Sequence, residues 1–328
     1  MRPESPHQHF LLTFLTTPDK STAQQNALKM VPATENSGQA IDGASQSGLE
    51  EKPSAHHPVP QPQGYLEPVA AQAEDDDDGT DSALEDDVQV ISVESSRKHW
   101  SAANLCSDFA DKHPNVEVIG TDLSPMQPAW VPPNVKFELE DATGSWTWPD
   151  NHFDIIHIRF LIGAIADWGA LFKEAFRCCN TDGFIESGEI NPTFCCDDGS
   201  IENAPALQTW NTLGIEGGKG FGRSFREVEN DVGLLRDAGF VDVQSVEYKV
   251  PVGGWTKDEK LRRVGQFLRA TIENDLEGYT MMIWHNILNW PKDEYQIFLM
   301  DMRKALRNKR VHCYMRVRYV YGRKEKNN

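Results

Sequence analysis

The sequence predicts an α/β fold: a mostly parallel, doubly wound sheet with helices between its strands, preceded by a long polar tail. Three observations predict it. From residue 100 onward, short β-branched runs alternate with segments of helical period, the order that builds crossover units. Residues 98–328 hold 28 of the 31 aromatic residues, enough to build one sizeable core. A strand pattern also follows the last helices with no crossover helix beyond it, which suits an antiparallel edge strand set beside its predecessor.

Residues 1–97 form the tail. They carry 9 of the 19 prolines, 17 acidic residues and only 5 basic ones, a net of −12 out of −18. Such a segment buries too little apolar surface to offset its ordering entropy and is expected to be disordered. Its acidic block, EDDDD at 74–78 with Asp81 and EDD at 85–87, reads as a solvated, self-repelling stretch. A grip on a basic partner is the other reading. The second unit, residues 98–328, is expected to be a single domain.

The elements follow in order. WSAANLCSDFADKH (100–113) reads as a helix with Ala102, Leu105 and Phe109 on one face. VEVIGTDL (116–123) is a strand closed by Asp-Leu-Ser-Pro. The Pro-rich loop 125–134 leads to a second strand at 135–142. FDIIHIRF (153–160) is apolar enough to lie centrally in a parallel sheet. A helix at 167–179 carries Leu171, Phe172, Ala175, Phe176 and Cys179 at helical spacing, and FIESGEI (184–190) follows as a strand. A helix at 226–239 stops at Gly239, and 241–250 is a strand. Two helices come next, 257–289 with a break at Gly278 and 292–309, before the closing strand at 311–322.

No apolar run reaches the length of a membrane span, and the first twenty residues lack a signal-peptide pattern. An intracellular protein, cytoplasmic or nuclear, is expected. The six cysteines agree. Cys178–Cys179 and Cys195–Cys196 are adjacent pairs without the spacing of a zinc site, so reduced thiols and no metal are expected.

The strings DFADKHPNVEVIGTDLSPMQPAWVPPNVKFELEDA (108–142), FDIIHIRFLIGAIADWGALFKEAFR (153–177), GYTMMIWHNILNWPKDE (278–294) and YGRK (321–324) carry a resemblance. They resemble the class I S-adenosylmethionine-dependent methyltransferases, and more narrowly the fungal LaeA-like group associated with secondary metabolism. The likeness runs over nearly all of 105–325. DSALEDD (81–87) and HFLLTF (9–14) are similar to pieces that precede the first strand in that group. Here their order is scrambled, as an altered gene model or a rearranged gene would leave it.

The resemblance implies a Rossmann-like class I methyltransferase fold, S-adenosylmethionine as cofactor, and a site at the carboxyl ends of the strands. It implies cofactor contacts at Asp122 and Leu123, where the acid would accept from the ribose hydroxyls, and at Asp141 and Ala142 near the adenine. By themselves Asp122 reads equally as a turn-forming acid before Leu-Ser-Pro, and Asp141 as a solvated loop acid. Trp130 is either an adenine neighbour or a surface anchor. His157 and Arg159 share one face of the third strand. A general base is required only for a protonated oxygen or nitrogen nucleophile, and His157, Glu186 and Glu189 are the candidates. Ten basic residues between 303 and 326 suit a solvated face that blocks edge pairing better than a phosphate site, so nucleic acid is not expected as a partner. The partners implied are a small-molecule substrate or a pathway or regulatory protein, with no membrane.

One element of the resemblance is missing. No glycine lies between Gly79 and Gly120, although the family places an acid and a Gly-x-Gly-x-Gly loop before DFAD. Counting back without gaps, Arg97 falls on the acid, and His99, Ser101 and Ala103 on the glycines. A Cβ there obstructs both positive φ and close backbone approach to a ligand. VQVISVE (88–94) is the available first strand. Two functions are therefore expected: a methyltransferase of secondary-metabolite biosynthesis, or a non-catalytic methyltransferase-like scaffold or regulator. A nicotinamide-dependent oxidoreductase is disfavoured by the terminal strand and the absent GxGxxG.

Overall fold

The computed structural model describes residues 11–16 as backbone, together with 64–69, 102–122, 130–284, 287 and 290–326. Among the described residues its sheet has seven strands, and the apolar run at 153–160 takes the centre. Strand β4 (Phe153–Arg159) is buried at every position but its last. The others are β1 (Leu11–Thr16), β2 (Glu117–Asp122), β3 (Val135–Leu139), β5 (Cys179–Cys196), β6 (Val241–Pro251) and β7 (Cys313–Arg323). Across the sheet the order is β3-β2-β1-β4-β5-β7-β6. β3 runs parallel to β2, and β5 parallel to β4. β1 and β7 are antiparallel to both of their neighbours. Five strands thus share one direction, which makes the sheet mostly parallel, as expected.

Four differences from the sequence reading matter. First, β7 is antiparallel but not an edge strand. It inserts between β5 and β6, because its alternate residues bond to either side, and β6 takes the edge. Second, two stretches of the expected tail belong to the fold. β1 fills the gap between β2 and β4, with Thr13 opposite both Gly120 and His157. Residues 64–69 lie against the segment 255–257, where Val69 N–H donates to the Trp255 carbonyl and Lys257 N–H to that of Glu67. Leu66 is buried with Trp255 and Tyr314. Apolar surface and unpaired backbone groups outweigh composition at both places. The acidic block and the 88–94 segment lie outside the described residues.

Third, β5 runs from Cys179 to Cys196 rather than 184–190, because β7 pairs along its whole second half, with an irregularity between Asn191 and Cys195. Fourth, the long helix expected at 257–289 breaks at Asp275, not at Gly278. Helix α5 spans Glu259–Asn274 and α6 Leu276–Ile283.

The other α-helices among the described residues are α1 (Ala102–Lys112), α2 (Trp168–Cys178), α3 (Pro205–Phe221), α4 (Asp231–Ala238) and α7 (Lys292–Arg307). α2 starts where the Asp167 carboxylate accepts from Ala170 N–H, and it buries Leu171, Phe172, Ala175 and Cys178. Each such side chain contributes roughly 1.5–3 kcal/mol. α4 ends at Gly239, whose φ of 113° supplies the left-handed cap. Three packed clusters result: α2 and α4 against β4 and β5, α1 against β2 and β3, and α3, α5 and α7 against the far ends of β5, β6 and β7. All six cysteines are free, with Cys195 and Cys196 half-buried and the others buried.

Candidate functional site

The carboxyl ends of β2, β3 and β4 lie along one edge of the sheet, where Arg159 at the end of β4 stands opposite Gly188 of β5. Asp122 closes β2 and is 8% exposed, beside Thr121 at 2%. The Asp122 carbonyl accepts from Glu140 N–H at 3.3 Å, which prolongs the β2–β3 pairing to the next loop. Leu123 lies outside the described residues.

Asp141 is exposed and engaged in its own turn. Its Oδ1 accepts from Thr143 N–H at 2.9 Å and from Thr143 Oγ1 at 2.7 Å. That is the loop-acid arrangement. Ala142 is half-buried, and its carbonyl accepts from Trp146 Nε1 at 3.3 Å. Trp130 is 75% exposed and offers a flat apolar face rather than a packing anchor.

The three candidate bases separate into two groups. His157 and Glu186 are register partners on β4 and β5, both buried, with His157 Nδ1 3.0 Å from Glu186 Oε1. The approach is close but not aligned as a hydrogen bond. Among the described residues neither ring nitrogen of His157 has a hydrogen-bond partner. Glu189, three residues along β5, projects from the opposite face. Its two carboxylate oxygens accept from Leu161 N–H at 3.0 Å and Ile162 N–H at 2.9 Å. Burial raises its pKa to about 8, against the lowering effect of those two donors and of Arg159. Glu189 thus clamps the loop that follows β4.

That loop was not singled out in the sequence. Phe160 has a φ of 55°, the only aromatic residue with positive φ among the described residues. Its N–H donates to the Gly188 carbonyl at 3.0 Å, and the Arg159 guanidinium lies 4.4 Å from its ring centre. A bulky residue in this region is strained, and such strain concentrates at functional sites. Gly163, with φ of 78°, then turns the chain. A Cβ there would meet the Phe225 ring at 2.8 Å. Ser224 and Arg223 hold the turn, accepting from Gly163 N–H and donating to the Ala164 carbonyl. Tyr319 was also missed. Its ring lies across Gly188, where any Cβ would stand 2.6 Å from a ring carbon. Burial raises its phenol pKa, opposed by the Arg159 guanidinium and helped by Glu186. Glycine in one strand opposite an aromatic in the next is the signal that marks this pair.

Where the resemblance implies a glycine loop for the methionine end of the cofactor, the described residues show a different chain path. β1 runs against its neighbours, so its first residue, Leu11, pairs with Arg159 at the site edge, while Thr16 pairs with Glu117 at the opposite edge. The chain enters the central strand at the site rather than turning out of it into a glycine loop. Arg97, His99 and Ser101 lie outside the described residues, and Ala103 is part of α1. Among the described residues the edge thus holds a buried acid at the end of β2 and an exposed indole ring, and no glycine cradle.

The comparisons with known proteins bear on the same stretch. A family model described as "Methyltransferase domain" matches residues 95–245. Methyltransferase pytC of Aspergillus terreus is 28% identical over 207 residues, covering 62% of this chain and 63% of that protein. Probable methyltransferase tdiE of Emericella nidulans is 29% identical, covering 66% of this chain and 68% of that protein. Secondary metabolism regulator LAE1 of Cochliobolus heterostrophus is 28% identical, covering 63% and 68%. The match thus spans somewhat less than two thirds of pytC's own length.

Proposed function

We infer, from the premise that the chain belongs to the LaeA-like class I methyltransferases, that it acts in fungal secondary metabolism as an S-adenosylmethionine-dependent methyltransferase. Its acceptor is a small molecule or a protein of pathway regulation. The observation that carries this reading is Asp122, a nearly buried carboxylate at the carboxyl end of β2 within the matched region. The cofactor would bring an electrophilic methyl group, so the protein's task is chiefly to bind and align. Asp122 would hold the ribose and Trp130 would flank the base. The Phe160–Gly163 turn, clamped by Glu189, would shape the acceptor side.

The test is calorimetric titration of the full chain with S-adenosylmethionine, beside Asp122→Ala. The natural chain is expected to bind with a Kd below about 1 mM. Asp122→Ala is expected to weaken binding at least ~10-fold, since hydrogen bonds to a charged group contribute roughly 1.5–3 kcal/mol each. A second reading, a scaffold or regulator without cofactor, is favoured by the reversed β1. It prevails if the natural chain binds nothing while a His99→Gly, Ser101→Gly, Ala103→Gly variant does.

A further inference from the structure

Away from this site, the end of β5 and the start of β7 bring two thiols together. Cys196 and Cys313 are direct partners in the antiparallel β5–β7 ladder, while Cys195 stands opposite Tyr314. The hydrogen-bond pattern fixes which kind of pair they form. The Cys313 carbonyl accepts from Val252 N–H and from Trp255 Nε1, both at 2.9 Å. Its backbone is therefore turned toward the β6 side, and the Cys196–Cys313 pair is a non-hydrogen-bonded one. In such pairs the Cα atoms stand about 4.5 Å apart and both side chains leave the same face. That lies within the roughly 4.4–6.8 Å span at which disulfides form.

The two thiols differ in access. Cys313 is 2% exposed, sealed under α3, α5 and α7, and burial pushes its pKa up to about 12. Cys196 is half-buried and faces the turn that follows β5. Its Sγ donates to Asp198 Oδ1 at 2.8 Å and lies 3.3 Å from Ser200 Oγ. The same turn is tied to the residue before Cys313: His312 N–H donates to Ser200 Oγ at 2.8 Å, and His312 Nδ1 meets the other oxygen of Asp198. The polar shell thus holds the accessible thiol over its partner. No group of described residues here qualifies as a metal site.

We propose that Cys196 and Cys313 form a peroxide-oxidised cross-strand disulfide site, with Cys196 the thiol that attacks the peroxide and Cys313 the resolving one. In the first step the Cys196 sulfur attacks a hydroperoxide. An S–O bond forms, the O–O bond breaks, and the thiol proton leaves with the departing oxygen as water or an alcohol. In the second, the Cys313 sulfur displaces hydroxide from the Cys196 sulfenic acid, and the Cys313 proton completes a second water. Two thiols are oxidised by two electrons, and one hydroperoxide is reduced. The disulfide joins distant parts of the chain through adjacent strands, so it restrains the unfolded state. It fastens the β5–β7 end beneath the α3–α5–α7 layer.

The experiment uses the full chain treated with a small excess of hydrogen peroxide, alkylated, digested and analysed by mass spectrometry. The expected result is a peptide linking Cys196 to Cys313, a Tm raised by roughly 5–10 °C, and reversal of both by dithiothreitol. Cys195→Ser is expected to behave as the natural chain. Cys313→Ser is expected to stop at a sulfenic acid on Cys196 that dimedone traps. A linked peptide carrying Cys195 instead, or an unmodified Cys196 under conditions that oxidise exposed thiols, overturns the proposal. The linkage is read on the unsubstituted chain, so a variant that fails to fold does not decide it.

Discussion

Thr13→Pro is expected to unfold the domain or lower its melting temperature sharply. Thr13 sits in the middle of β1, opposite Gly120 on one side and His157 on the other. Proline removes one backbone donor and its ring clashes with the neighbouring strand. The partner carbonyl is then left unpaired at the buried centre of the sheet, a loss of about 2–4 kcal/mol for that group and its bond. Removing residues 1–16 altogether is more severe. The sheet then parts into β3-β2 and β4-β5-β7-β6, each with a bare edge, and insoluble protein is expected. Thermal melts with circular dichroism check both. A truncated chain that stays soluble and melts at the original temperature would show that some other segment, residues 88–94 being the obvious one, takes the central position.

Glu189→Ala is the second large effect. It strips the acceptors from two backbone N–H groups, those of Leu161 and Ile162, and Leu161 is fully buried. Orphaned donors of this kind cost about 1–3 kcal/mol each, so a loss of roughly 2–5 kcal/mol is expected in denaturant unfolding. Glu189→Gln keeps one acceptor and sets an amide against the other donor, and should fall between.

The loss also depends on pH, with a definite sign. Burial raises the folded-state pKa of Glu189 from 4.5 to about 8. Its contribution is complete below the unfolded value and declines as pH rises toward and through 8, because the unfolded chain gives up the proton first. The deficit of Glu189→Ala relative to the natural chain should therefore be widest near pH 5 and narrow toward pH 9. A deficit independent of pH would sink the assignment of a protonated, buried clamp.

Much of the fold was legible because much of it is periodic. β4 announced its central place through an unbroken apolar run. In α7, Phe298, Leu299, Met302 and Leu306 are buried as their spacing required. α3 was missed entirely, since Gly214, Gly217, Gly218 and Gly220 lower its intrinsic propensity. Tertiary packing overrides this: at Gly217 a Cβ would lie 2.8 Å from Ile283, so close approach of α6 selects the glycine. β1 was illegible as a central strand for a different reason. LLTFLT carries a strand pattern, but nothing local states that its partners lie more than a hundred residues away.

The candidate site divides in the same way. Asp122 was readable from its position at a strand end. The role of Glu189 was not, because its partners are backbone N–H groups, which every sequence contains. The left-handed φ of Phe160 is equally silent, since a bulky residue in that region contradicts local preference.

The direction and origin of β1 also bear on how the chain is made. Leu11–Thr16 leaves the ribosome early, but its partners at 117–122 and 155–159 come much later. At typical synthesis rates of about 5–20 residues per second, the wait is on the order of ten seconds. Throughout that interval the nascent chain carries an unpaired apolar strand, and β2 emerges with one edge open. The central closure is the last pairing available to this half of the sheet, and its high sequence separation makes it slow. Slowed translation is therefore expected to lengthen the exposure of this strand and lower the yield of native protein.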